Sequence, residues 1–148
     1  MENIRELFHI MTRRFGFLNK NCCSVGDYEI SLVQSHILYE IDRQQNPSIQ
    51  KIANTLGIDI TTFSRQVQSL VNMNLVKKTP YEQDRRVTIL SLTNEGKYVA
   101  TMIDQKMNQY LNEVFGYMND FEKEIVLRSI KLLNSCMAKS KACCNPMG

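Results

Sequence analysis

Residues 49–73, IQKIANTLGIDITTFSRQVQSLVNM, hold two helical patterns separated by the short turn LGID (56–59). Ser48 offers a side-chain oxygen to the unpaired N–H groups at the start of IQKIANTL, and Gly57 stands where helices commonly close on a left-handed residue. Asp59 is placed to cap the next helix, in which Phe63, Val67, Leu70 and Val71 recur at helical spacing and face inward. Two helices joined in this way form a helix-turn-helix pattern, whose second helix is shaped to enter a DNA major groove. Any helical hairpin has such a turn, so the flanking segments decide how the pattern is used.

Directly after it, LVKKT (75–79) and RVTILSL (86–92) are rich in β-branched residues, and the polar PYEQDR (80–85) links them. In the second segment Val87, Ile89 and Leu90 are interleaved with polar Thr88 and Ser91, the mark of a half-buried strand. A hairpin in this place predicts a winged helix. Between Ile60 and Leu90, Arg65, Lys77, Lys78, Arg85 and Arg86 stand against Glu82 and Asp84, a net of +3 that equals the formal net charge of the whole chain. A basic segment on an otherwise balanced protein is the electrostatic footprint of a nucleic-acid reader.

Outside this core the pattern is helical. IRELFHIMTRRFGFL (4–18) sets Ile4, Leu7, Phe8, Met11, Phe15 and Leu18 on one stripe, which stops at the polar NKNCCSVGD (19–27). Asp27 is predicted to cap a helix whose stripe runs through Ile30, Val33, Ile37, Leu38 and Ile41 and ends at QQNP (44–47). After Gly96 a long helix carries Val99, Met102, Ile103, Tyr110, Leu111, Val114, Phe115 and Met118, and another from about Phe121 carries Ile125, Leu127, Ile130, Leu133 and Met137. A winged lobe is complete without these last helices. Their apolar faces, with that of the first helix, are expected to bury one another across a two-fold axis.

Composition bounds the function. With 148 residues and 43% hydrophobic content the chain can bury one core. Glu2, Arg5 and Glu6 interrupt the start, so it reads as no signal peptide, and no apolar run approaches the ~20 residues of a membrane span. A cytoplasmic protein with no membrane partner is expected. Catalysis is not, because His9 and His36 sit on helix faces without a nucleophile motif and no glycine-rich phosphate loop is present.

The stretch 49–97 resembles the DNA-binding core of the MarR family of bacterial transcriptional regulators. It carries a D-x-R wing signature as Asp84-Arg85-Arg86 and an L-T-x-x-G run as Leu92-Thr93-Asn94-Glu95-Gly96. Tyr81 stands where many members carry Asp, and Asn74 replaces the glycine that often follows the recognition helix while still tolerating a left-handed conformation. The resemblance implies a mainly α fold with a small β-hairpin wing. It divides the chain into a winged helix-turn-helix lobe at 25–93 and dimerisation helices with a cysteine-containing tail at 1–24 and 94–148. It also implies a homodimeric repressor on double-stranded DNA, reading a near-palindromic operator and answering to an effector ion, oxidant or small molecule. On the recognition helix Thr61, Thr62, Ser64, Arg65 and Gln68 lie opposite the apolar stripe and can face base edges and phosphates. Arg86 is expected in the minor groove with Asp84 orienting it, and Arg85 on a phosphate.

Two vicinal cysteine pairs, Cys22 with Cys23 and Cys143 with Cys144, lie toward the two ends. Adjacent cysteines are poor structural staples, and thiols in a reducing compartment point to metal or redox chemistry. No cofactor is required, but these four thiolates form a candidate site for a thiophilic metal or metalloid ion that tunes DNA affinity. Oxidation to a sulfenic acid and then a disulfide is the competing thiol reading. The alternatives are a regulator of this type with a small apolar ligand and no thiol sensing, or a thiol-metal-binding interaction protein. Cys136, inside an apolar helical pattern, reads equally well as a buried small hydrophobe.

Overall fold

Short polar side chains set where the helices begin. The structure, a computed structural model, describes residues 3–16 and 23–140. These form α1 (Ile4–Arg14), α2 (Leu32–Gln44), α3 (Ile49–Leu56), α4 (Ile60–Asn72), a hairpin of β1 (Val76–Tyr81) and β2 (Asp84–Leu92), then α5 (Asn94–Gly116) and α6 (Asp120–Lys139). The fold is mainly α with a two-stranded antiparallel wing. The Ser48 hydroxyl accepts from the Lys51 amide at the head of α3, and Asp59 does the same for Thr61 and Thr62 at the head of α4. Gly57 closes α3 at φ 67°, the left-handed region where a missing Cβ removes the strain.

Two local expectations are corrected. Asp27 does not cap the second helix, which begins at Leu32 under Ser31. Ser31 accepts from the Gln34 amide and the Gln34 side chain accepts from the Ser31 amide, a reciprocal pair that outbids a single Asp cap. Asp27 lies instead in a tight turn where the Val25 and Tyr28 backbones exchange two hydrogen bonds, with Gly26 at φ 56°. Ile30 is therefore buried ahead of the helix, while Val33 is exposed. The wing is also longer than its β-branched runs. β1 and β2 extend to Tyr81 and Asp84, leaving Glu82 and Gln83 as a two-residue turn, with the register shifting between Pro80 and Tyr81.

The core gathers Ile37 and Leu38 of α2, Ile52 of α3, Phe63, Val67 and Leu70 of α4, Leu90 of β2 and Val99 of α5, all fully buried. Each such side chain contributes about 1.5–3 kcal/mol. On its far side β2 is held by the segment before α3, where the Leu90 amide donates to the Pro47 carbonyl at 2.8 Å. By contrast α1 and α6 bury none of their residues, and Ile4, Met11, Phe121, Ile130 and Leu132 lie open.

The exit from α4 is fixed at one junction. Asn74 takes φ 62° and turns the chain into β1. The Thr93 hydroxyl donates to the Asn74 carbonyl at 2.7 Å and accepts from the Gly96 amide at 2.9 Å, while the Thr93 amide donates to the Leu75 carbonyl at 3.1 Å. The first turn of α5 is thereby pressed onto Leu75 so closely that a Cβ on Gly96 would stand 1.9 Å from the Leu75 carbonyl oxygen. Backbone cannot swing aside as a side chain can. Gly96→Ala is expected to cost about 1–3 kcal/mol or more of unfolding free energy, read by urea denaturation. A midpoint within error of the wild type would contradict this packing.

Candidate nucleic-acid interface

α4 is amphipathic in the sense a reading helix needs. Its Phe63, Val67 and Leu70 face is sunk in the core, which fixes the helix against rolling, and Thr61, Thr62, Arg65 and Gln68 are exposed on the other side, with Ser64 half-buried. The helix start is held by Asp59, whose carboxylate accepts from the Thr61 amide at 3.0 Å and the Thr62 amide at 3.4 Å. The hydrogen bond from the Thr62 side chain, then that from the Thr61 amide, hold the Asp59 carboxyl below the usual carboxylate range.

At the other end of the exposed face, Gln68 is committed on both sides of its amide. Its nitrogen donates to Asn72 Oδ1 at 2.9 Å and its oxygen accepts from Lys78 Nζ at 2.8 Å, which ties α4 to β1. Lys78 was visible in the sequence only as one of several basic residues. Its place beside Gln68 follows from the hairpin folding back along the helix.

In the wing, Asp84 and Arg86 form the expected pair. Arg86 Nε donates to Asp84 Oδ1 at 3.0 Å and Nη2 to Oδ2 at 3.1 Å, and the Arg86 amide adds a third bond at 3.1 Å. The Arg86 side chain is 91% exposed. The fork therefore fixes its direction without sequestering it. The Arg86 guanidinium holds the Asp84 carboxyl below its ordinary range, and that carboxylate raises the guanidinium in turn. Arg85, the neighbour on the strand, is exposed as well.

Residues 30–88, the span from the entry to α2 through most of β2, match the model of the MarR family. The chain carries a MarR-family domain. Among its relatives, the uncharacterized HTH-type transcriptional regulator YybA of Bacillus subtilis (strain 168) is 24% identical over 119 residues, 77% of this chain and 79% of that one. The HTH-type transcriptional regulator TcaR of Staphylococcus aureus (strain Newman) is 26% identical over 111 residues, 74% and 73% of the two chains. The crystal structure of Streptococcus pneumoniae FabT in complex with DNA superposes with a TM-score of 0.80 over 90% of this chain and 94% of that chain. At 16% identity that likeness is one of fold.

The cysteines of this chain are not brought together among the described residues. Cys22, Cys143 and Cys144 lie outside them. Cys23, expected in a polar loop, is instead 3% exposed in the apolar core, because its amide donates to the Ile30 carbonyl and closes a small hairpin with its side chain inward. Cys136 is exposed on α6, not buried. Among the described residues no group of three or more His, Cys, Asp or Glu side chains is placed to hold a metal ion.

A feature the sequence did not announce lies behind the interface. A cleft of about 940 Å³ opens between α2 and α5, with Tyr39 and His36 on one wall, Ala100 and Met107 on the other, and Leu56 and Ile58 at its end. Lys97 of α5 spans it to Asp42 of α2 at 2.5 Å. At its margin the buried Glu40 accepts from Arg43 and Gln44, and the side-chain oxygen of Gln44 is buried with no hydrogen-bond partner among the described residues.

Because the folded carboxyl of Asp59 is depressed, its contribution to stability is present above the ordinary carboxylate pKa, about 4, and is lost as pH falls through the folded value. Asp59→Asn keeps the capping oxygen. It is expected to leave the urea midpoint at pH 7 nearly unchanged and to lose less stability than wild type between pH 7 and about pH 3. Equal acid losses in the two proteins would contradict the assignment.

Proposed function

We propose that the chain is a DNA-binding transcriptional regulator of the MarR type, not an enzyme, acting as a homodimeric repressor in the cytoplasm. The observation that carries this reading is the exposed polar face of α4 set beside a hairpin whose tip presents a bridled arginine. In this reading α4 enters the major groove, where Thr61, Thr62, Ser64, Arg65 and Gln68 meet base edges and phosphates. Arg86 reaches into the neighbouring minor groove, and Arg85, joined by Lys78, binds phosphate.

The dimer part of the reading is supported by α1 and α6. Both are amphipathic helices with no fully buried residue, and an apolar patch of that extent needs covering. A two-fold across these helices would present two α4 helices to half-sites roughly one helical turn, about 34 Å, apart. The effector is assigned to the cleft in preference to the thiols. The cleft separates α2, in the reading lobe, from α5, which leads to the open helices, so a ligand that prefers one spacing must change DNA affinity by the same factor. The thiol reading keeps Cys22, Cys23, Cys143 and Cys144 as its ligands, with the burial of Cys23 weighing against it. Under it, Cys→Ser substitution at these positions would abolish a response to thiophilic ions or peroxide.

An operator selected from a randomised duplex library tests the DNA contacts by fluorescence anisotropy. Arg86→Ala and Arg65→Ala are each expected to weaken binding about tenfold or more, and Arg85→Ala to reduce the slope of log affinity against log salt by about one per half-site. Unchanged affinity for both Arg65→Ala and Arg86→Ala would sink the assignment. For the dimer, a chain ending at Ile125 is expected to sediment as a monomer. A folded truncation that still binds a full palindrome with wild-type affinity would refute the obligate dimer.

A further inference from the structure

The cleft between α2 and α5 has a charge balance opposite to that of the chain. Its acidic groups are Glu40, Asp42 and Asp104, while Lys97 is the one lysine or arginine among the described residues that line it. Two of the carboxylates are already answered. Asp42 holds Lys97 at 2.5 Å, and Glu40 receives Arg43 from outside the cleft at 2.8 Å. Asp104 accepts a side-chain hydrogen bond from Asn108 at 3.4 Å, and among the described residues no cation is paired with it.

An anion entering the cleft would thus find its one ammonium engaged by Asp42, and would approach an uncompensated carboxylate. A cation meets the reverse. Asp104 attracts it, the aromatic Tyr39 is among the lining residues, and Leu32, Val33, Leu56, Ile58, Ile103 and Met107 supply apolar wall. The overall formal charge of +3 pulls the other way, so the preference must be local. Resting on the reading of this cleft as the effector site, we propose that its ligand is an amphipathic organic cation with an apolar or aromatic body. Such a cation also competes with Lys97 for Asp42, the ion pair that pins α2 to α5.

Tetraphenylphosphonium and tetraphenylborate have nearly the same shape and opposite charge, and calorimetric titration of the full chain with each at pH 8 separates size from sign. Tetraphenylphosphonium is expected to bind about tenfold more tightly than the borate. Asp104→Asn, with folding checked by circular dichroism, should remove most of that difference. Thr101→Trp, a substitution at an exposed position on the cleft wall, should weaken both ions. If Thr101→Trp blocks binding but the borate binds as well as or better than the phosphonium, the proposal of a cation is overturned and the effector cleft stands. Phosphonium binding unchanged by Asp104→Asn overturns it likewise. If neither ion binds, or Thr101→Trp leaves binding of both intact, the cleft reading fails and the proposal falls with it.

Discussion

The contact of α5 with the chain reversal after α4 is the constraint on which the rest of the reading lobe depends. At that point the Leu75 carbonyl takes the Thr93 amide, the Asn74 carbonyl takes the Thr93 hydroxyl, and Gly96 has no side chain to hold the backbones apart. Four elements meet there: the end of α4, the first residue of β1, the last of β2 and the head of α5. These bonds hold the end of the recognition helix and the base of the hairpin together, and the Gln68–Lys78 hydrogen bond adds a second tie between them. The Thr93 bonds also hold the head of α5 there.

Asp84 and Arg86 show how a solvent-exposed ion pair can matter without stabilising the fold. Exposed pairs contribute little to folding, since water competes for both partners. Here the fork limits the rotamers of a long side chain before any partner arrives. Ordering a flexible arginine is one of the costs of association, and a guanidinium already aimed outward has met part of it. Gln68, tied to Lys78 and Asn72, is constrained in the same manner on α4.

The parts of the fold that are local in sequence were the legible ones. Ser48, Gly57, Asp59 and Asn74 each declare a cap or a left-handed turn through their own chemistry, and each is found in that role. The Asp84 to Arg86 pairing spans two residues and was readable for the same reason. The start of α2 was misread because two capping signals compete within five residues, and the reciprocal Ser31–Gln34 box is the stronger. Cys23 lies among polar neighbours in the chain, yet its burial is decided by a backbone bond to Ile30 seven residues on. Lys78 beside Gln68 and the cleft itself arise where separate elements pack, which no linear spacing records.

α6 is 20 residues long and none of them is buried, although Phe121 and Leu132 are about two-thirds open to water or more. A helix in a protein draws most of its stability from the packing of its apolar face and less from its own hydrogen bonds, even with a capping box such as Asn119–Glu122 at its head. The persistence of α6 therefore depends on whatever covers its apolar stripe. If that cover is a second chain, the helix and the assembly form together, and the amount of protein in the cell becomes a thermodynamic variable of the fold. Dilution would then unwind the helical arms before it disturbs the lobe. A newly made chain would hold a finished reading head before it owned a scaffold to space it.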